Sequence, residues 1–222
     1  MDARQSVDPS DGRPAVSASE ALVRLREGNR RFVAGECLAS TLLDSGRRSM
    51  LTTQQRPFAI VLGCSDSRVP AELVFDQGLG DLFVIRVAGN IVAPSQVGSV
   101  EFAAERFDTR LVVVLGHSQC GAILATLEEL QRPREKQSRN LRAIVDRVRP
   151  SVEGLVRSGM APDDGELVRQ AVRANIRHSA DHLRHGSEVL ETLIRDQGLC
   201  VVGAEYSLET GCVDFFDRVP SK

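Results

Sequence analysis

Four short apolar runs fix the class of fold open to this chain: Phe58 to Leu62, Leu82 to Val87, Leu111 to Leu115 and Leu199 to Val202. Each is rich in Val, Ile and Leu, and none alternates with polar residues, as expected of strands buried on both faces. Helical patterns separate them at Val97 to Phe107, Ala122 to Leu130, Leu141 to Val148 and Glu166 to Asp196, the last broken near Gly186. Strands alternating with helices imply right-handed crossovers and a parallel sheet. The expectation is an α/β fold with a mostly parallel central sheet of about four strands flanked by helices. Cys212 to Phe216 can add an edge strand after the Glu209-Thr210-Gly211 turn.

Ahead of the first strand, Ser17 and Glu20 form a capping box before a helical pattern at Ala18, Ala21, Leu22, Leu25 and Phe32. This N-terminal arm helix has little chain before it to pack against. Residues 1–16 read as a flexible tail, and residues 17–222, which contain no repeat or linker, as a single domain. The tail lacks an apolar signal region, and no apolar run approaches the ~18 residues of a membrane span. The expected location is cytoplasmic, with no membrane partner. The balance of 28 basic against 30 acidic residues offers no bulk attraction to nucleic acid. Five cysteines are an odd count and too few for a disulfide framework, so they read as thiols available for metal or nucleophilic chemistry.

Ligands of an open parallel sheet bind beyond the carboxyl ends of its strands. Two such ends stand out: Gly63-Cys64-Ser65-Asp66-Ser67-Arg68 after the first strand and Gly116-His117-Ser118-Gln119-Cys120-Gly121 after the third. Several motifs nearly fit. Cys64 and Arg68 are too close for a phosphatase loop, Cys120 stands where a nucleophile elbow needs its last glycine, and Gly78-Leu79-Gly80 precedes a strand rather than following one. Cys64, Asp66, His117 and Cys120 instead offer two thiolates, an imidazole and a carboxylate, all acceptable to Zn²⁺. Cys64 joins the other two only if strands one and three are neighbours. Either motif alone is as well read as small buried cysteines and a satisfied core histidine. Both at strand ends of one sheet favour a metal.

The paired motifs resemble those of the β-class carbonic anhydrases. So do Leu25 to Phe32 with Gly28-Asn29, Asp76-Gln77-Gly78, Arg86 to Asn90, and Tyr206 with Gly211, so that the resemblance spans about Ser17 to Val213. It implies one Zn²⁺ per chain, held by Cys64, His117 and Cys120, whose fourth position alternates between a water or hydroxide and Asp66. The implied reaction is reversible hydration of CO₂ to bicarbonate and a proton by the zinc-bound hydroxide. Arg68 would hold Asp66 off the metal; the lesser alternative, compatible with it, is that Asp66 caps the helix that follows Pro70. Gln55 and the N–H of Gly121 would orient substrate, and Phe83 and Ala88 would wall the pocket. The family forms homodimers or homotetramers, its N-terminal helix embracing a neighbour.

In part of the family a second bicarbonate locks the site. The matching residues here are Arg86 and Tyr206, but Val61 stands where the family has tryptophan, and the chain has none. Gating is therefore expected to be weakened. Two other functions remain open: hydrolysis of CS₂ or COS by the same metal, or a silent zinc-binding scaffold. Cys200 and Cys212 read as core residues and Cys37 as an exposed thiol. His178, His182 and His185 share one helix face among Arg173, Arg177, Asp181 and Arg184, which suggests a solvated side rather than a second metal site.

Overall fold

The computed structural model describes residues 16–38, 45–131, 138–157 and 165–218. Residues 1–15 of the expected tail lie outside them. The strands are β1 (Ala59–Gly63), β2 (Leu82–Arg86), β3 (Leu111–His117), β4 (Cys200–Tyr206) and β5 (Val213–Asp217). They form one sheet in the order β2-β1-β3-β4-β5, parallel except for β5, which runs antiparallel to β4. All four apolar runs are strands, and Cys212 to Phe216 supplies the edge. β1 and β3 are neighbours, with Gly63 paired to Leu115. Every residue of β1 and β3 is buried, which accounts for their unbroken apolar character.

The helices are α1 (Ala18–Ala34), α2 (Ser45–Met50), α3 (Ala71–Val74), α4 (Pro94–Arg106), α5 (Gly121–Gln131), α6 (Arg139–Arg157), α7 (Gly165–His185) and α8 (Glu188–Gln197). Two apolar layers sandwich the sheet. On one face, Ile60, Leu62, Val112 and Val114 meet helices α4 to α8. On the other, Val61, Val113 and Leu115 meet α1 and α3. No helix among the described residues is long and apolar enough to cross a membrane.

Helix α1 finds its partner in its own chain. Ser17 accepts the N–H of Glu20 as the capping box requires, and Leu22 and Leu25 are buried against the sheet. Burying each such side chain stabilises the fold by roughly 1.5–3 kcal/mol. Gly28 permits the contact with α3, since a Cβ there would sit 1.7 Å from the Phe75 carbonyl oxygen. Asn29 then ties three elements together: its Nδ2 donates to the carbonyls of Val74 (3.0 Å) and Gly211 (2.8 Å), and its Oδ1 accepts from Val213 N (2.9 Å).

Helix α6 runs further than the sequence suggested. The helical pattern in the sequence covers only Leu141 to Val148. Instead the helix continues through Pro150 to Arg157, because Val145, Val148 and Val152 form one buried stripe against the core.

Candidate metal centre

The sheet topology brings two loops to one point. β1 ends at Gly63 and delivers Cys64; its neighbour β3 ends on His117 itself. The next turn places Gln119 at φ 57°, and α5 starts directly after Cys120. Ligand atoms of Cys64, His117 and Cys120 all lie within 4.8 Å of one another, and all three residues are buried. Among the described residues, no other group of three or more His, Cys, Asp or Glu side chains is gathered in this way.

The imidazole is oriented by its other nitrogen. Nδ1 of His117 lies 2.8 Å from the Ser118 carbonyl oxygen, to which it donates, leaving Nε2 as a lone-pair donor. That Nε2 is fully buried and has no hydrogen-bond partner among the described residues. A buried imidazole nitrogen without a partner beside two sulfurs fits a borderline-soft divalent ion, and zinc accepts this donor set.

The two thiols differ sharply. Cys64 is lowered to about 4, chiefly because the Cys120 thiol donates to its sulfur; His117 and the N–H groups of Gly89 and Asp66 add to this against the cost of burial. Cys120 is pushed up by the adjacent Cys64 thiolate and by burial, although the backbone N–H groups of Ala122 and Ile123, at the start of α5, favour its charge. Burial opposes charge on His117, but the Cys64 thiolate and Asp66 outweigh it, and its pKa is raised. A divalent cation at this point would favour ionisation of both sulfurs.

Asp66 faces the same point and is held by Arg68. Arg68 Nε donates to Oδ1 at 2.9 Å and Nη2 to Oδ2 at 2.7 Å, a bidentate pair, while the Arg68 N–H reaches Oδ1 at 3.0 Å. The guanidinium holds the Asp66 carboxyl well below the usual carboxylate range. Oδ2 also lies 3.9 Å from His117 Nε2. Asp66 does not cap α3, whose N-cap position, Pro70, has no side-chain hydrogen bond.

A family model described as carbonic anhydrase matches residues 59–213, which include all of these side chains. The chain belongs to the β-class carbonic anhydrases. It is 40% identical over 190 residues to a carbonic anhydrase of Mycolicibacterium smegmatis, covering 86% of this chain and 89% of that one. Against carbonic anhydrase 2 of Mycobacterium tuberculosis it is 36% identical over 207 residues, covering 93% and 96%. The β-carbonic anhydrase of Coccomyxa, solved with acetazolamide, superposes with a TM-score of 0.68 at 27% identity, over 88% of this chain and 86% of that one.

Other residues expected at a carbonic anhydrase site are placed less closely. Gly121 opens α5 next to Cys120. Gln55 is exposed and lines a cavity with Arg48, Leu51, Leu79, Arg106 and Phe107, at the end of the sheet where the strands begin. It is therefore separated from Cys64 by the length of β1, ~15 Å. Arg86 and Tyr206 lie on the sheet face that also carries Val61, with β1 and β3 between their strands. Arg86 is committed to the metal loop, donating from Nε to the Cys64 carbonyl (3.0 Å) and from Nη2 to the Asp66 carbonyl (2.6 Å). Phe83 and Ala88 are partly buried, Phe83 with its ring against Phe102 and Phe107.

His178, His182 and His185 are exposed, as a solvated helix side requires, and the first two line a groove of ≈ 600 Å³ between α4, α6 and α7. Cys37 is exposed as expected; Cys200, expected in the core, is only half-buried, and Cys212 is exposed rather than packed, because it sits beside the turn at Gly211. The sequence marked the loop Arg86 to Asn90 but not what Gly89 does there: its N–H donates to Cys64 Sγ at 3.4 Å.

Proposed function

We propose that this carbonic anhydrase catalyses the reversible hydration of CO₂ to bicarbonate with one zinc ion held by Cys64, His117 and Cys120. The observation that carries the reading is the convergence of those three buried ligands beside an Asp66 already bound by Arg68. Three protein ligands are the pattern of a catalytic rather than a structural zinc, leaving a position for water. When bound, zinc acts as a Lewis acid and lowers the pKa of a water to ~7.

The chain's own residues do the rest. Asp66 stays ionised at working pH and is acceptor-only, so it can take a hydrogen bond from the attacking water and orient a lone pair toward substrate. Arg68 keeps both carboxylate oxygens occupied and away from the ligand position. The backbone N–H of Gly121, at the start of a helix, is suited to a bicarbonate oxygen. Residues 17–222 form the catalytic unit.

The active form is a homo-oligomer. Phe102 is 53% exposed on α4 and joins Phe83 and Phe107 in an aromatic cluster beside the unpaired edge of β2. Gln55 is too far along the sheet to serve its own metal centre, so it serves a neighbour's. The pairing of Arg86 with two loop carbonyls, together with Val61, leaves bicarbonate gating weak.

The test is zinc content with stopped-flow CO₂ hydration between pH 6.5 and 9. The reading requires close to one zinc per chain and activity rising with pH. Less than half a zinc per chain sinks the metal assignment. Zinc without hydration, but with COS or CS₂ turnover, reassigns the substrate.

A further inference from the structure

Asn175 lies in the middle of α7 and is 1% exposed. An asparagine is a poor choice there, because its side chain competes for backbone hydrogen bonds and a buried amide needs partners at both ends. Only one end is served. Nδ2 donates to the Gly89 carbonyl oxygen at 2.8 Å, while Oδ1 has no hydrogen-bond partner among the described residues. Ala171 and Val172, one turn back on this helix face, are apolar and buried in the core, so packing alone would favour an apolar residue here as well.

The Gly89 carbonyl is a telling target. The N–H of the same residue donates to Cys64 Sγ. Gly89 turns at φ 70°, ψ 19°, and a Cβ would stand 2.9 Å from that of Ala122, so only glycine fits. This left-handed turn sends the carbonyl back toward α7 and the N–H forward to the sulfur. The loop is tied on its other side as well, with Val87 N donating to the Gly63 carbonyl at 3.1 Å.

We infer that Asn175 is a positioning residue of the metal centre: by holding the Gly89 carbonyl it fixes the amide that donates to Cys64 Sγ. This inference rests on the metal reading above. An N–H donor on a thiolate withdraws electron density from the sulfur, weakens its donation to a bound ion and restrains its side chain. Freeing the amide makes the sulfur a stronger but poorly held donor. Groups behind the ligands commonly change metal affinity ~10–100-fold when removed.

The experiment uses the full chain with Co²⁺ in place of zinc, comparing wild type with Asn175→Ala, Asn175→Leu and, as a cavity control on the same helix, the buried Leu183→Ala. The sulfur-to-cobalt charge-transfer band and the rate of zinc release to excess chelator are measured. Both Asn175 variants are expected to move the band to longer wavelength and release zinc ~10–100-fold faster. Leu183→Ala is expected to lower the melting temperature without moving the band. Asn175→Leu is close to the native volume and has no donor at any pH, so it carries the test if the alanine variant fails to fold. Asn175 variants with a wild-type band and release rate overturn the inference, as does Leu183→Ala reproducing their shift. Wild-type protein that binds neither metal overturns the metal reading, and this inference with it.

Discussion

Oδ2 of Asp66 stands 3.9 Å from Nε2 of His117 and 2.7 Å from Nη2 of Arg68, so one oxygen sits between a metal-ligand nitrogen and a guanidinium. In the proposed mechanism, the side that holds the carboxylate determines whether the centre is open to water.

Replacing Arg68 removes the guanidinium that holds this carboxylate. Arg68→Met should keep its zinc but lose ~10²–10⁴-fold in kcat/KM, the scale of a lost acid–base arrangement. Metal analysis and stopped-flow hydration check both halves. The depressed Asp66 pKa also has a sign: it contributes stability above the ordinary carboxylate range, lost as pH falls through the lower folded value. Acid unfolding of Arg68→Met should therefore begin at higher pH than that of wild type.

Metal content should discriminate among the cysteines. Cys64→Ala and Cys120→Ala are expected to lose zinc, while Cys200→Ala keeps it. Cys200 pairs with Leu111, the first residue of β3, whereas His117 is the last. That puts it ~20 Å from the centre at 3.3 Å per residue. A folded Cys200→Ala protein without zinc would refute the ligand assignment.

Chelator-treated protein should show one unusual thiol. The Cys120 thiol, His117 and two backbone N–H groups lower the Cys64 pKa while Cys120 is pushed up, so Cys64 ionises first of the two. Iodoacetamide at pH 6 should label Cys64 before Cys120, and added zinc should protect both. Peptide mapping by mass spectrometry reads the order; equal labelling of the two counts against the assigned electrostatics.

If Gln55 serves a neighbouring subunit, two inactive chains should repair each other. Gln55→Ala retains a metal centre, and Cys64→Ala retains the glutamine. Oligomers reassembled from a mixture should recover activity above either parent. Recovery absent from verified mixed oligomers means that Gln55 acts elsewhere. Phe102→Glu should shift the sedimentation coefficient toward the monomer if the aromatic cluster lies between subunits.

Much of this was legible in the sequence because burial on both faces leaves a plain mark. β1 and β3 read as unbroken apolar runs, and their ends carry the ligands. The Leu141 to Val148 pattern fell short of the helix, which passes through Pro150 because Val152, two residues on, has a core to fill. Gln55 precedes the Phe58 to Leu62 run and Cys64 follows it, so the sequence already set them one strand apart; a single chain carries no mark of a second subunit that Gln55 could face. Gly89 and Asn175 left no local signal, because their connection joins residues 86 apart in the chain.

The pairing of β1 with β3 also imposes an order of assembly. The donor atoms come from residues 64, 117 and 120, and the brace on Gly89 comes from residue 175. A chain emerging from the ribosome amino end first holds one thiol of the site long before it holds the rest. Until β3 has closed against β1, Cys64 is an ordinary cysteine open to oxidation or to the wrong metal. If the centre takes up zinc as proposed, loading is a late event of synthesis, and that first thiol has to stay reduced in the meantime.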